Sequence, residues 1–186
     1  MCGICGIVYK DKSRSPEQAM LQRMCDTLTH RGPDDSGRLV SGQTGIAMRR
    51  LSIIDLTSGH QPISNEDNSK HIVFNGEIYN YQDLHTQLKS EGHRFRTVSD
   101  TEAIIHGYES WGNAVLSKLN GMFAFAVWDE AERRLLLARD RLGIKPLYYY
   151  EDDEKVVFAS EIKAILACDG IEKDLDFDAL NNFLTF

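Results

Sequence analysis

The chain has 186 residues, 42% hydrophobic and 26% charged, and its 21 Lys+Arg against 28 Asp+Glu give a formal charge of −7. That is the size and composition of a globular domain able to bury its own core, which excludes disordered and fibrous classes. Net acidity repels phosphate, so nucleic acid and anionic membranes are poor partners, and the longest apolar run, Met122 to Trp128, is about a third of the ~20 residues a bilayer span needs.

No secretory signal opens the chain, because Lys10 and Lys12 follow the first apolar stretch, and Cys2 stands where myristoylation needs Gly. A cytoplasmic protein is expected, and there Cys2, Cys5, Cys25 and Cys168 imply no disulfide framework. Cys2 to Tyr9 is apolar and glycine-punctuated, a buried strand. Glu17 to Leu28 places Met20, Leu21, Met24, Cys25 and Leu28 at helical spacing, with Pro16 at the mouth. His30 to Asp35 is a loop by its Gly, Pro and Asp content. Leu39-Val40 and Thr44 to Arg49 read as a strand pair, Thr57 to Ser69 as polar loop, and His71 to Phe74 as a short strand running into Asn75-Gly76. Helices are expected over Tyr81 to Ser90, Thr101 to Trp111 and Ala114 to Leu119. Met122 to Asp129 and Arg133 to Arg139 form a hairpin whose first strand is apolar on both faces. Leu147 to Tyr150 and Lys155 to Ala159 form another, followed by helices over Glu161 to Ala167 and Phe177 to Phe186. The last helix ends on Phe183-Leu184-Thr185-Phe186 without a capping signal, so the chain is expected to continue into a further domain. Short strands around a few helices predict an α+β layered domain.

Several residues invite chemistry. Removal of Met1 would leave Cys2 with a thiol and a free α-amine, and an amine of pKa near 7.7–8.0 can take and return the thiol proton at neutral pH. The bland alternative is a chance Met-Cys start. Cys2 and Cys5 also spell a CxxC pair, but inside a strand the two point to opposite faces, and Cys25 and Cys168 supply no second pair. No metal ligand set is expected on that account, and Cys5 reads as a small buried apolar residue. Asn75-Gly76 is either a hairpin turn or, functionally, an oxyanion hole built from the Asn amide and the Gly N–H. Arg50 is a surface charge or a clamp on a carboxylate. Asp100 caps a helix or receives an ammonium, and Glu77 is ambiguous in the same way.

Taken together, the order Met1-Cys2-Gly3-Ile4, His30-Arg31-Gly32-Pro33-Asp34, Arg50-Leu51-Ser52-Ile53-Ile54-Asp55, Phe74-Asn75-Gly76-Glu77-Ile78-Tyr79-Asn80, Ser99-Asp100-Thr101-Glu102, Arg139-Asp140-Arg141-Leu142-Gly143-Ile144-Lys145-Pro146 and Phe158-Ala159-Ser160-Glu161 closely resembles the class II glutamine amidotransferase domain of glutamine-hydrolysing asparagine synthetases, over essentially residues 1–186. The resemblance implies an N-terminal-nucleophile hydrolase fold, a four-layer αββα sandwich of two antiparallel sheets. It implies that L-glutamine is cleaved to glutamate and ammonia. Cys2 would be the nucleophile, and Asn75 and Gly76 would hold the oxyanion. Arg50 would grip the α-carboxylate, Glu77 and Asp100 the α-ammonium, and the backbone around Leu51 and Ile53 would line the pocket. Arg31 and Gly32 would shape the site. The resemblance also implies a C-terminal synthetase domain as partner and allows a homodimer. ATP and Mg belong to that further domain, since no Ser-Gly-Gly or other phosphate loop occurs here, and no cofactor is expected in this one. The competing readings are an inactive amidotransferase-like binding module, an amidotransferase for another carboxylate, and a redox or metal protein built on Cys2 and Cys5.

Overall fold

The apolar segment after Cys2 becomes a central strand, β1 (Gly3–Tyr9), buried along its whole length in a computed structural model that describes residues 1–51 and 59–185. It is flanked on one side by β3 (Thr44–Arg50), which pairs with β2 (Asp35–Ser41), and on the other by β9 (Lys155–Ala159), which pairs with β8 (Tyr148–Glu151). This five-stranded antiparallel sheet has the order β2-β3-β1-β9-β8. A second antiparallel sheet of order β4-β5-β6-β7 is built from β4 (Ile63–Ser64), β5 (Lys70–Ile78), β6 (Gly121–Asp129) and β7 (Arg134–Arg139).

Alternation along the strands sorts side chains into three cores. Ile4, Ile46, Met48, Val73, Ala124, Ala126 and Phe158 fill the space between the sheets. The opposite face of the first sheet, with Cys5, Ile7 and Ala47, is covered by α1 (Gln18–Asp26) and α5 (Ile162–Leu166). The outer face of the second sheet, with Ile72, Phe74, Phe125 and Val127, is covered by α2 (Tyr81–Ser90), α3 (Asp100–Trp111) and α4 (Val115–Lys118). The layers therefore run helix, sheet, sheet, helix, as expected. The split follows from strand periodicity, since residues two apart share a face. Cys5, buried among apolar neighbours, is a packing residue. All four cysteines are free.

Four local expectations are corrected. Pro16 precedes the α1 cap residue Glu17 and so lies outside the first turn. β2 starts at Asp35, well before Leu39, because Asp35 and Ser36 pair with Arg50 and Arg49. The polar stretch after Gly59 contains β4. Asn75-Gly76 is no turn: β5 runs through it to Ile78, with Asn75 opposite Ala124 and Gly76 opposite Phe123. A final helix, α6 (Phe177–Thr185), buries none of its residues, leaving Phe177, Phe183 and Leu184 largely exposed.

Candidate active site

The first sheet delivers Cys2. The register Gly3↔Arg49 brings the start of β1 to the end of β3, where Arg50 is buried and the Cys2 thiol lies 3.7 Å from the Leu51 carbonyl. Arg31, from the loop after α1, fixes the segment from below. Its Nε donates to the Cys2 carbonyl at 2.9 Å and its Nη1 to Glu161 Oε1 at 2.9 Å. His30 and Lys163 also reach Glu161. Against the upward push of its partial burial, hydrogen bonds from Arg31, His30 and Lys163 hold the Glu161 carboxyl down to about 2. One residue away, the Ser160 hydroxyl accepts from the Ile4 N–H (3.0 Å), and the Ser160 N–H donates to the Ile4 carbonyl (2.8 Å).

The second sheet delivers Asn75, Gly76 and Glu77 on the last part of β5. Asn75 is 1% exposed, and its Nδ2 is buried without a hydrogen-bond partner. An orphaned buried amide is costly unless something arrives to accept from it. Gly76 is required by the sheet itself, because a Cβ there would collide with the Met122 carbonyl oxygen and press to 2.8 Å from the Phe123 Cα.

Helix α3 delivers Asp100. Ser99 is the cap, accepting from the Thr101 N–H at 3.1 Å, so the capping role that Asp100 could have filled belongs to its neighbour. Asp100 instead accepts from the Ile78 N–H at 3.0 Å, which ties α3 to the end of β5. Burial pushes the Asp100 carboxyl up, the backbone N–H groups of Ile78 and Thr101 oppose that push, and the nearby Glu77 charge adds to it. Two carboxylates held close together in a partly dry site favour a cation between them.

These parts line one open cleft, bounded by Cys2, Arg50, Leu51, Asn75, Gly76, Glu77 and Asp100, with Met1 beside Cys2. Seven of the eight residues singled out from the sequence therefore share one wall, and the eighth, Ile53, lies outside the described residues. The cleft brings together a thiol, a buried amide without a partner, a glycine, a buried guanidinium and two carboxylates.

Sequence reasoning missed Gln61, Phe74, Thr101, Met122 and Lys145, which also line the cleft. Gln61 is buried, accepts from the Phe74 N–H at 2.7 Å and donates to Thr101 Oγ1 at 3.2 Å, joining β5 to α3. Lys145 is buried at the edge, its backbone held by Asp140 and Arg139. Both stand in loops; no local pattern marks Gln61, and Lys145 lies in the Arg139–Pro146 motif without having been given a role.

Comparison with known proteins agrees with this geometry. The family model for a glutamine amidotransferase domain matches residues 1–186. Asparagine synthetase [glutamine-hydrolyzing] 3 of Bacillus subtilis is 42% identical over 183 residues, covering 97% of this chain and 30% of the relative. Asparagine synthetase [glutamine-hydrolyzing] 2 of Arabidopsis thaliana is 42% identical over 178 residues, covering 95% of this chain and 30% of that protein. The chain thus spans about a third of the length of these relatives. Among solved structures, the glutamine phosphoribosylpyrophosphate amidotransferase of B. subtilis superimposes with a TM-score of 0.72 at 22% identity, over 89% of this chain and 43% of that one, a likeness of fold. With a two-sheet sandwich of that architecture and a family match over its full length, the chain belongs to the glutamine amidotransferase domain family.

Proposed function

We propose that this domain hydrolyses L-glutamine to glutamate and ammonia, with Cys2 as the nucleophile after Met1 is removed. The observation that carries the reading is Asn75 Nδ2, a buried donor without a partner on the wall it shares with Cys2. With Met1 in place the Cys2 nitrogen is an amide and cannot act as a base. Once freed, the α-amine accepts the thiol proton as sulfur attacks the side-chain carbonyl carbon of glutamine. The carbonyl oxygen becomes an oxyanion, held by Asn75 Nδ2 and the Gly76 N–H, donors already in place before charge develops. The same amine then protonates the departing nitrogen, ammonia leaves, and a γ-glutamyl thioester remains. A water deprotonated by the amine attacks the thioester carbonyl, and glutamate leaves as the thiol recovers its proton.

Substrate selection is assigned to the rest of the wall. Arg50 takes the α-carboxylate in a bidentate pair. Asp100 and Glu77 take the α-ammonium, which relieves the repulsion between them. The Leu51 backbone completes the pocket, and Arg31 positions Cys2 through its carbonyl.

The ammonia is proposed to serve a synthetase domain that amidates aspartate, where ATP and Mg would act, with the whole reaction in the cytoplasm. Support comes from the relatives' names and from their extra length. The test is ammonia release from glutamine by the chain with its N-terminus read by mass spectrometry. Chain lacking Met1 is expected to release ammonia and glutamate in equal amounts, and Cys2→Ala none. A processed chain that binds glutamine without cleaving it would point to the binding-module reading instead.

A further inference from the structure

On the far side of α3 from the cleft, four side chains converge that the glutaminase reading does not use. Glu66 comes from the β4–β5 connection, His93 from the segment after α2, and His106 and Glu109 from one face of α3. We propose that Glu66, His93, His106 and Glu109 form a binding site for one zinc ion.

The distances suit it. His106 Nδ1 lies 3.2 Å from Glu66 Oε2 and 3.7 Å from Glu109 Oε2. His93 Nδ1 lies 3.2 Å from Glu66 Oε1 and 3.8 Å from Glu109 Oε2. The four donor atoms all fall within 4.8 Å of one another. Donors bonded at about 2.0–2.1 Å around a tetrahedral zinc ion stand about 3.3 Å apart, and with Glu66 Oε2 as its donor the spacings of 3.2, 3.7 and 3.8 Å lie near the edges of such a tetrahedron.

A second observation points to a ligand. His106 is 1% exposed, and its Nδ1 makes no hydrogen bond despite two carboxylates nearby. A buried ring nitrogen aimed at acids yet bonded to none suits a metal ligand. The outer contacts are those that orient ligands. His106 Nε2 faces Glu102 Oε1 at 3.4 Å, and His93 Nε2 faces the Ser110 hydroxyl at 2.8 Å. With Nε2–H engaged in this way, His106 presents a lone pair at its unpartnered Nδ1, and His93 would do so once an ion displaces the proton it shares with Glu66 Oε1. Each carboxylate is also secured at one oxygen. Glu66 Oε1 accepts from the Arg94 N–H at 3.0 Å, and Glu109 Oε1 accepts from Asn65 Nδ2 at 3.1 Å. Glu66 Oε2 is left facing His106 and Glu109 Oε2 facing both rings, while Glu66 Oε1 also shares a 3.2 Å hydrogen bond with His93 Nδ1 that an ion would replace. Two neutral imidazoles and two carboxylates carry −2, which a divalent ion balances. Mixed nitrogen and oxygen ligands in a tetrahedron favour zinc over calcium or magnesium, which take all-oxygen sites. The ion would fasten two loops to the helix whose N-terminus carries Asp100, giving it a structural task remote from glutamine.

The test uses the whole chain, stripped with chelator, loaded with zinc and desalted, with folding checked by circular dichroism. Elemental analysis is expected to find one zinc per chain, and none in a folded His93→Gln, Glu109→Gln double variant, which spares buried His106. Ser110→Ala is expected to weaken zinc binding about tenfold by freeing His93. Cobalt in the same site should give the visible absorption of a tetrahedral ion with no thiolate charge-transfer band. A folded wild-type chain that retains no zinc, a double variant that retains as much as wild type, or a thiolate band placing the metal on a cysteine would each overturn the proposal. None of these readouts depends on glutaminase activity.

Discussion

Replacing Asn75 by alanine separates a catalytic amide from a structural one. In the structure Asn75 Nδ2 has no partner, so the substitution removes no hydrogen bond made by that nitrogen in the free domain. The residue borders an open cleft, so its loss enlarges the cleft and leaves no sealed cavity. Stability is expected to change by less than about 1 kcal/mol, within the range of substitutions that break no named interaction. Catalysis should behave very differently. Removing one oxyanion donor costs about 2.7–4 kcal/mol of barrier, so kcat is expected to fall ~10²–10³-fold while KM for glutamine moves little. Glutamate release at saturating glutamine, measured with a glutamate dehydrogenase couple, gives kcat, and a denaturant titration of the same preparation gives stability. Asn75→Asp, equal in shape but negative, should fall at least as far. If kcat held while KM rose, or if stability dropped by about 3 kcal/mol or more, the assignment of Nδ2 to the oxyanion would be wrong.

The other expectations concern binding, positioning and pH. Asp100→Asn should raise KM for glutamine by about 2 kcal/mol or more, the loss expected when one member of a buried charge pair is neutralised, with a smaller effect on kcat. Because burial pushes the Asp100 carboxyl up, it protonates sooner than an ordinary acid as pH falls, so wild-type KM should rise toward acid pH and the Asn variant should lose that dependence. Arg31→Ala removes donors to Cys2 and Glu161, and should cost about 2–3 kcal/mol of stability and roughly 100-fold in kcat through a misplaced nucleophile; unfolding and rate measurements on one preparation test both. Glu102 is held down to about 2 by hydrogen bonds from His106, Thr97 and Arg96 that outweigh its burial. A depressed carboxylate stabilises the fold fully above its unfolded value, and that contribution is lost as pH falls from about 4.5 toward 2. Urea midpoints across that window should drop steeply in wild type and more gently in Glu102→Gln.

Elements with strong periodicity were readable from sequence. The helix that became α3 shows Ile104 and Tyr108 one turn apart, and both are buried against the second sheet. The β6–β7 hairpin was legible because β6 is apolar on both faces, as a strand between two layers must be. Of the two readings open for Asn75-Gly76 the turn falls away, because its local preference is outweighed by a ladder that runs from Lys70↔Asp129 to Ile78↔Gly121. β2 begins on Asp35 and Ser36, residues that carry no strand signal and are extended because Arg50 and Arg49 pair with them. The cleft residues named from sequence sit in dense motifs, whereas Gln61 owes its position to Phe74 and to Thr101, 13 and 40 residues along the chain. Glu66 and His93 escaped notice for a related reason. They come from separate loops, and they meet His106 and Glu109 only after α3 packs beside β4.

The pairing of β1 sets an order of events during synthesis. The strand that follows Cys2 is completed by nearly the last part of the sandwich, since β1 needs β9, and Ile4 needs Ser160. At ribosomal rates of about 5–20 residues per second, the 150-odd residues between them take roughly 8–30 s to emerge. Throughout that interval the first residues have no finished sheet to join. Under the proposed mechanism an aminopeptidase would meet Met1 on an open strand end, and the new amine would already be present when the cleft closes around it.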